Sequence, residues 1–446
     1  MEYPGTYLTK PLRRALWLCF VAAFFIITPL ILLYTVGYRF DWQEWRFRAT
    51  AGLSVATVTP KAATIFLNDL QVGTKLPFFS ASLRSGQYTV TLRHDGYYDW
   101  TKTVLLNDTQ TTYLKDIELL KKLDPVRLDT ATTTGIFMSP SGARLVEVRT
   151  ASGTTQLWQR TTRTQAAGLV ALWDVTNPPA VTWSHGETFM LVSDSQPPYR
   201  HLQIIRTAVP EENFTITSAN DTITNIMWSP DQDDALYCST ANALFKFNVI
   251  TRQRTRISAV NFIDWYMGTA GLWTLARSST SGLQIVRDAL GFKTILPVDT
   301  PHSETPAGWR LLYASGQTAL LYDERRQTYH IVSENGQWSV PGNQWLRSPY
   351  QGWWLFLTPW EIWKYEPGGE PQLVLRSGER LATVAPMDAY NTLGVGSAQD
   401  TSAFWPYYGV STALLPQAVS QLAADPQDRQ LYIIFKNSPG LWRLAY

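Results

Sequence analysis

Three serines stand at a fixed interval. Ser139, Ser184 and Ser229 are each 45 residues apart, in Met138-Ser139-Pro140-Ser141-Gly142, Trp183-Ser184-His185-Gly186 and Trp228-Ser229-Pro230-Asp231. Apolar strands are predicted after each, at 145–148, 189–192 and 235–238, with second strands at 156–159, 202–205 and 244–247. Third strands follow at 214–217 and 255–258. A fixed period of this kind means that one unit cannot bury its own apolar face and must stack on the next.

The signature fades beyond Asp231, but turn-then-strand units continue at 266–268, 314–316, 348–349, 386–388 and 425–426. The strand after each turn is expected to be the inner one, as at 272–275, 319–322, 353–356 and 431–434. Eight units between residues 125 and 446 leave about 40 residues each, the length of a four-stranded β-propeller blade; seven blades is the alternative. The last unit stops one strand short, and Pro125-Val-Arg-Leu-Asp-Thr130 has nothing of its own to pair with. That segment is expected to complete the last blade and remove its open edge. On these turns the region resembles the "WSPDG" blades of TolB-like and WD40-like propellers, although of the best units only Asp231 supplies the aspartate.

The N-terminal portion reads differently. Residues 15–36, ALWLCFVAAFFIITPLILLYTV, carry no charge. A helix of about 20 such residues crosses the hydrocarbon of a bilayer. Lys10, Arg13 and Arg14 precede it, which places residues 1–14 in the cytoplasm and the rest outside, and Pro29 is a possible kink point. A cleaved signal peptide is the rival reading, but the exit Tyr34-Thr-Val-Gly-Tyr38-Arg-Phe40-Asp-Trp42 is bulky and aromatic where cleavage wants small residues. Those rings, in a juxtamembrane linker over 37–51, suit the headgroup region.

Residues 52–120 predict a small β-domain with strands near 55–58, 63–67, 70–73, 88–92, 100–106 and 111–119. Pro60, Ala62-Ala63, Ile65, Asn68-Asp69, Gly73-Thr74, Gly86, Tyr88-Thr-Val90, Asp95-Gly96-Tyr97 and Trp100 follow the spacing of the PEGA domain, which this stretch resembles. The resemblance implies an extracytoplasmic β-sandwich with no known catalytic set. The turn His94–Trp100 is then a corner, with Gly96 supplying a positive φ and Tyr97 and Trp100 packing over the sheet edge.

Composition agrees with an all-β chain: 13% aromatic, with 19 Trp and 21 Tyr. Charged residues are 17% and the net charge is +2, so no clustered basic footprint for nucleic acid is expected. Cys19 lies in the apolar run and does not pair with Cys238. The histidines 94, 185, 201, 302 and 330 show no metal-ligand spacing, and no cofactor is expected. Gly394-Val-Gly396-Ser397 has the wrong spacing for a hydrolase elbow. Asp231, Asp233 and Asp234 lack the rest of a calcium loop and read as a solvated turn. Trp345, Trp353, Trp354, Trp360 and Trp363 remain as the candidate ligand or partner surface, either stacked in the core between blades or set out as a platform.

The sequence therefore predicts an all-β chain with one transmembrane helix, a PEGA-like sandwich and a propeller. The expected role is non-catalytic: a single-pass, membrane-anchored binding or scaffolding protein of the cell envelope that recognises a protein or a wall glycan. A glycan hydrolase or lyase, for which carboxylates should meet about 5–10 Å apart at the funnel mouth, and a surface-array protein are the alternatives.

Overall fold

The computed structural model describes residues 9–42, 44–151, 153–175, 177–216, 222–278, 282–289, 292–298, 308–348, 352–388 and 392–446. His302 and Pro349, singled out above, lie outside these residues. The chain divides into two units, residues 1–122 and 123–446.

In the first unit, the helix Lys10–Thr35 is long and apolar enough to cross a membrane. Pro29 is accommodated within it. A two-stranded hairpin, Tyr38–Asp41 with Arg46–Ala49, comes next. The β-domain has a four-stranded sheet built on Gly86–Arg93 and a three-stranded sheet centred on Ala51–Val55. The last strands, Thr111–Leu114 and Ile117–Glu118, pair in parallel with Ala51–Val55 and Val58–Thr59. Alternate residues turn inward from both sheets, so Leu53, Val55, Ile65, Val90, Leu92, Leu106 and Leu114 are buried together. Trp100 opens the edge strand of the four-stranded sheet and, at 1% exposed, is buried in this core. Gly96 takes φ +78° as the turn requires. Arg93 pairs with Asp99 at 2.8 Å, closing the turn on itself. The turn is a corner.

The second unit consists, among the described residues, of eight four-stranded antiparallel sheets. Seven are consecutive blades: 132–173, 179–215, 225–259, 264–298, 309–341, 344–376 and 381–415. The eighth takes three strands from 419–445 and its outer strand, Val126–Arg127, from the beginning of the unit. Closure comes about as the unpaired 125–130 segment predicts. One expectation is corrected. The strand before each turn, not the one after it, lies toward the axis, because first strands of neighbouring blades touch. Gln421 of blade 8 bridges both the N–H and the carbonyl of Ile136 in blade 1 at 3.0 and 2.7 Å.

Charge fastens the seam where the ring closes. Asp129 follows the closing strand and meets Arg149 of blade 1 at 2.7 Å. Glu147, fully buried, accepts from Arg149 at 2.7 Å and from Arg160 at 2.5 Å. Two carboxylates thus face two guanidiniums. Arg127 donates to the carbonyl of Pro439 at 2.8 Å. Gly440 has φ +102°, and a Cβ there would collide with the carbonyl oxygen of Asp129, so only glycine lets the two segments approach.

The repeated serines are buckles. Ser139 and Ser184 each donate their N–H across the turn, to the carbonyls of Arg144 and Phe189 at 2.8 and 2.9 Å. Their Oγ atoms accept the N–H of those same residues at 3.1 and 3.0 Å. Carboxylates then latch one turn to the next. Glu187 of blade 2 accepts the Ser141 hydroxyl of blade 1 at 2.8 Å. Asp233 of blade 3 accepts the Gly186 N–H of blade 2 at 2.7 Å and the Ser184 hydroxyl. The acidic run is therefore not simply solvated. Asp231 holds Ser229 at 2.6 Å and Asp234 holds Asn248 at 2.7 Å. Burial pushes the Asp233 carboxyl up, but the bonds from Ser184, Thr188 and Gly186 outweigh it and hold the group below the usual carboxylate range.

Two stability outcomes follow from these contacts. Glu147→Gln leaves two buried guanidiniums short of one anion and should lower stability by about 3 kcal/mol in denaturant unfolding at neutral pH; a loss under about 1 kcal/mol contradicts the seam as drawn. Because the folded pKa of Asp233 is depressed, its contribution is present above the ordinary carboxylate value near 4 and disappears as pH falls through the folded value. Asp233→Asn should cost about 1 kcal/mol at neutral pH, with the gap to wild type narrowing below about pH 4. A gap that stays constant into the acid range rules out the latch as a charged contact.

Candidate functional site

Blades 6, 7 and 8 bring a set of polar side chains together around one cleft. Their first strands begin at Gln344, Leu381 and Val419, and the turns joining their second and third strands sit beside those starts. A cleft of about 340 Å³ opens there. Leu357, Pro359, Leu381, Ala382, Ala398 and Val419 form its apolar floor. Asn343, Gln344, Thr358, Ser420, Arg380 and Lys436 supply its polar groups.

Backbone ladders fix this geometry. The Asn343 N–H donates to Leu357 at 2.9 Å, Leu381 to Pro359 at 2.8 Å, Ala398 to Arg380 at 3.0 Å and Lys436 to Ala418 at 3.0 Å. Each bond ties the start of a first strand to a neighbouring turn, so the positions of Arg380 and Lys436 are set by main chain. Thr358 buckles its own turn, accepting the N–H groups of Trp360 and Glu361 at 3.1 and 2.8 Å.

The charges around the cleft are unevenly satisfied. Glu361 is engaged by Arg376 at 2.7 Å and by the Trp363 indole N–H at 3.0 Å; these bonds, Trp363 first, hold its carboxyl below the usual range. Glu379 accepts from Ser397 at 3.2 Å, and Asp400 accepts from the same hydroxyl at 2.5 Å. Arg380 and Lys436 are exposed and form no side-chain hydrogen bond or ion pair with a described residue. No carboxylate lines the cleft among the described residues. The arrangement can therefore accept an anionic group, with two cations and four neutral polar side chains over a greasy floor.

The five tryptophans do not form one surface. Trp353 and Trp354 are adjacent on an extended chain, so their rings point to opposite faces. Trp353 packs with Leu355, Leu381 and Phe404, between blades 6 and 7. Trp354 is 2% exposed and packs with Tyr329, Phe356 and Tyr365 between blades 5 and 6, with Trp345 and Trp363 against the same cluster. Trp360 alone of the five has half its surface in solvent, at 51%. It stands one residue past Pro359, on the turn that forms the cleft wall. No pattern in the sequence around Arg380 or Lys436 distinguishes them from other solvated charges.

Two of the described histidines, His201 and His330, have partners within their own blades. Asp194 accepts the N–H groups of Arg200 and His201 at 2.7 and 2.9 Å, with the His201 ring at 3.1 Å, and so staples a loop of blade 2. His330 packs against Trp309, ring centroids 4.7 Å apart and tilted by 34°, and its Nδ1 lies 2.9 Å from the Ser339 hydroxyl. Among the described residues no group of three His, Cys, Asp or Glu side chains is placed to hold a metal ion.

Residues 50–121 match the family model of the PEGA domain. Solved structures similar to this chain include the β-propeller domain of Myceliophteria thermophila Cps50 (Swd1), 9% identical, covering 72% of this chain and 99% of that one with a TM-score of 0.47. The C-terminal WD40 domain of Sif2 is 8% identical, covering 72% and 98% with a TM-score of 0.46. Kuenenia stuttgartiensis hydrazine synthase is 14% identical, covering 72% and 97% with a TM-score of 0.36. No curated protein matches the chain. The architecture itself rests on the sheet order given above.

Proposed function

We propose that the chain is a membrane-anchored, extracytoplasmic binding or scaffolding protein that captures an acidic segment of a partner protein in the cleft across blades 6 to 8. The observation that carries this reading is the pair of unengaged cations, Arg380 and Lys436, held by main-chain bonds over an apolar floor. Acidic side chains satisfy the cations, and their apolar neighbours in a peptide cover Leu357, Pro359 and Val419. Trp360, exposed at the rim, offers the kind of flat anchor that dominates binding hot spots.

The anchor is supported by the helix Lys10–Thr35, and its orientation by Lys10, Arg13 and Arg14 ahead of the apolar run. The PEGA match over residues 50–121 supports placing the folded units outside the cytoplasm. A closed ring suits a binding role, because its faces carry loops whose spacing is fixed by the blades beneath.

The test uses the full chain, purified in detergent, against two probes: a set of Asp- and Glu-rich peptides and an oligogalacturonate. The expected result is peptide binding that weakens as salt is raised and falls at least about tenfold in the Arg380→Glu, Lys436→Glu variant. Equal binding by wild type and variant overturns the cleft. Uronate binding without peptide binding replaces the protein partner with an anionic glycan.

A further inference from the structure

The hairpin that follows the helix has two unlike faces. Its register pairs Tyr38 with Ala49, Arg39 with Arg48, Phe40 with Phe47 and Asp41 with Arg46. The period of two therefore gathers Phe40 and Phe47 on one face and Arg39, Asp41, Arg46 and Arg48 on the other. Trp42 and Trp45, at the turn, join the aromatic face. Phe40 meets Trp42, Trp45 and Phe47 with centroids 4.8, 6.0 and 5.3 Å apart, and the two indoles are 6.0 Å apart.

Nothing in the described residues covers this cluster. Trp42 is 73% exposed and Trp45 75%. The sheet has only its two strands, and a lone hairpin is at best marginally stable in water. Trp45 also takes φ +52°, a region that bulky side chains avoid, at a cost of about 1–2 kcal/mol. Four rings packed edge to face, a strained tryptophan among them and no described residue covering them call for an apolar neighbour.

The opposite face carries the charges, with arginines in excess of carboxylates. Asp41 is met by Arg48 at 3.6 Å and by Arg84 at 3.7 Å, and Glu44 by Arg48 at 3.4 Å and by Arg46. Arg39 donates to the Tyr34 carbonyl at 2.8 Å while its guanidinium lies 3.5 Å from the centre of the Tyr34 ring. This contact fastens the hairpin to the last turn of the apolar helix. The Arg84–Asp41 pair and the Thr50 hydroxyl, which meets the carbonyls of Gly37 and Ala81 at 2.8 and 3.0 Å, fasten it to the β-domain.

We infer that the aromatic face of this hairpin lies in the headgroup–acyl boundary of the membrane that the helix crosses, as a second, non-spanning lipid contact. Indole rings concentrate at that depth, and the paired arginines and carboxylates face outward to water. The hairpin begins three residues after the helix ends, so the two elements share one bilayer surface. The inference rests on reading Lys10–Thr35 as a membrane span. Its effect is to hold the β-domain at a set height above the lipid instead of on a free tether.

The experiment reconstitutes the full chain in phosphatidylcholine vesicles containing lipids brominated near the glycerol end of the acyl chain. Tryptophan fluorescence of wild type is compared with Trp42→Phe, Trp45→Phe and, separately, with Trp17→Phe. Phenylalanine keeps the hairpin face apolar, and Trp17 lies within the helix and reports its insertion. The fluorescence lost in the double variant should be quenched about twofold or more by the brominated lipid and shielded from acrylamide. If that component is instead quenched by acrylamide alone while the Trp17 component responds to bromine, the hairpin lies in water and the inference is wrong. Protection from both quenchers, with an oligomeric state that changes in the double variant, puts a second copy on the face and equally overturns it. A Trp17 component that ignores bromine removes the span, and the hairpin contact with it.

Discussion

Two residues, Val126 and Arg127, decide whether residues 123–446 are a ring or an open stack of sheets. Without them blade 8 exposes the outer edge of its last strand, Trp442–Ala445, and an open edge seeks another chain. The pairing alone is short. It is reinforced by buried Glu147 between Arg149 and Arg160, with half-buried Asp129 on Arg149, by Arg127 on Pro439 and by the glycine at 440 that allows the approach. The cleft depends on this seam, because blades 6, 7 and 8 keep fixed spacing only if blade 8 is held from both sides.

Much of the architecture could be read from sequence, and the reason is chemical. A turn of several residues between the first two strands of a blade needs a short hydroxyl side chain to accept an N–H that would otherwise be orphaned. Ser139 and Ser184 meet that need one blade apart; Ser229 keeps the backbone bond across its turn, to Ala235 at 2.9 Å, but gives its hydroxyl to Asp231. Where the turn shortens, the need disappears. Blade 4 turns tightly between the paired residues Gly268 and Gly271, and blade 5 between Ser315 and Thr318, so the signature vanishes while the blade remains. In blades 7 and 8 aspartate takes over: Asp388 accepts the N–H of Thr392 at 2.8 Å and Asp425 that of Gln427 at 3.0 Å. The erosion of the repeat is a change of buckle.

The candidate site was far less readable. Asn343 and Lys436 are separated by almost three blades of chain and meet only because the ring curves. No local pattern marks Arg380 as different from Arg376, yet one stands free over the cleft and the other is bound to Glu361. The tryptophans misdirect for the opposite reason. Aromatic density in sequence reports the volume that must be filled between blades, and Trp345, Trp354 and Trp363 fill it. Adjacent Trp353 and Trp354 could not have shared a face on any strand. Burial leaves Trp360 in solvent, beside the cleft.

Closure of the ring is open to one direct measurement. Val126 and Arg443 are register partners, at a separation that a disulfide spans. In a chain with Cys19 and Cys238 replaced by serine, Val126→Cys with Arg443→Cys should oxidise within one molecule to a single species, identified by mass spectrometry of the linked peptides. Linkage only between molecules, or none under conditions that oxidise a surface control pair, contradicts a ring sealed by its own first strand.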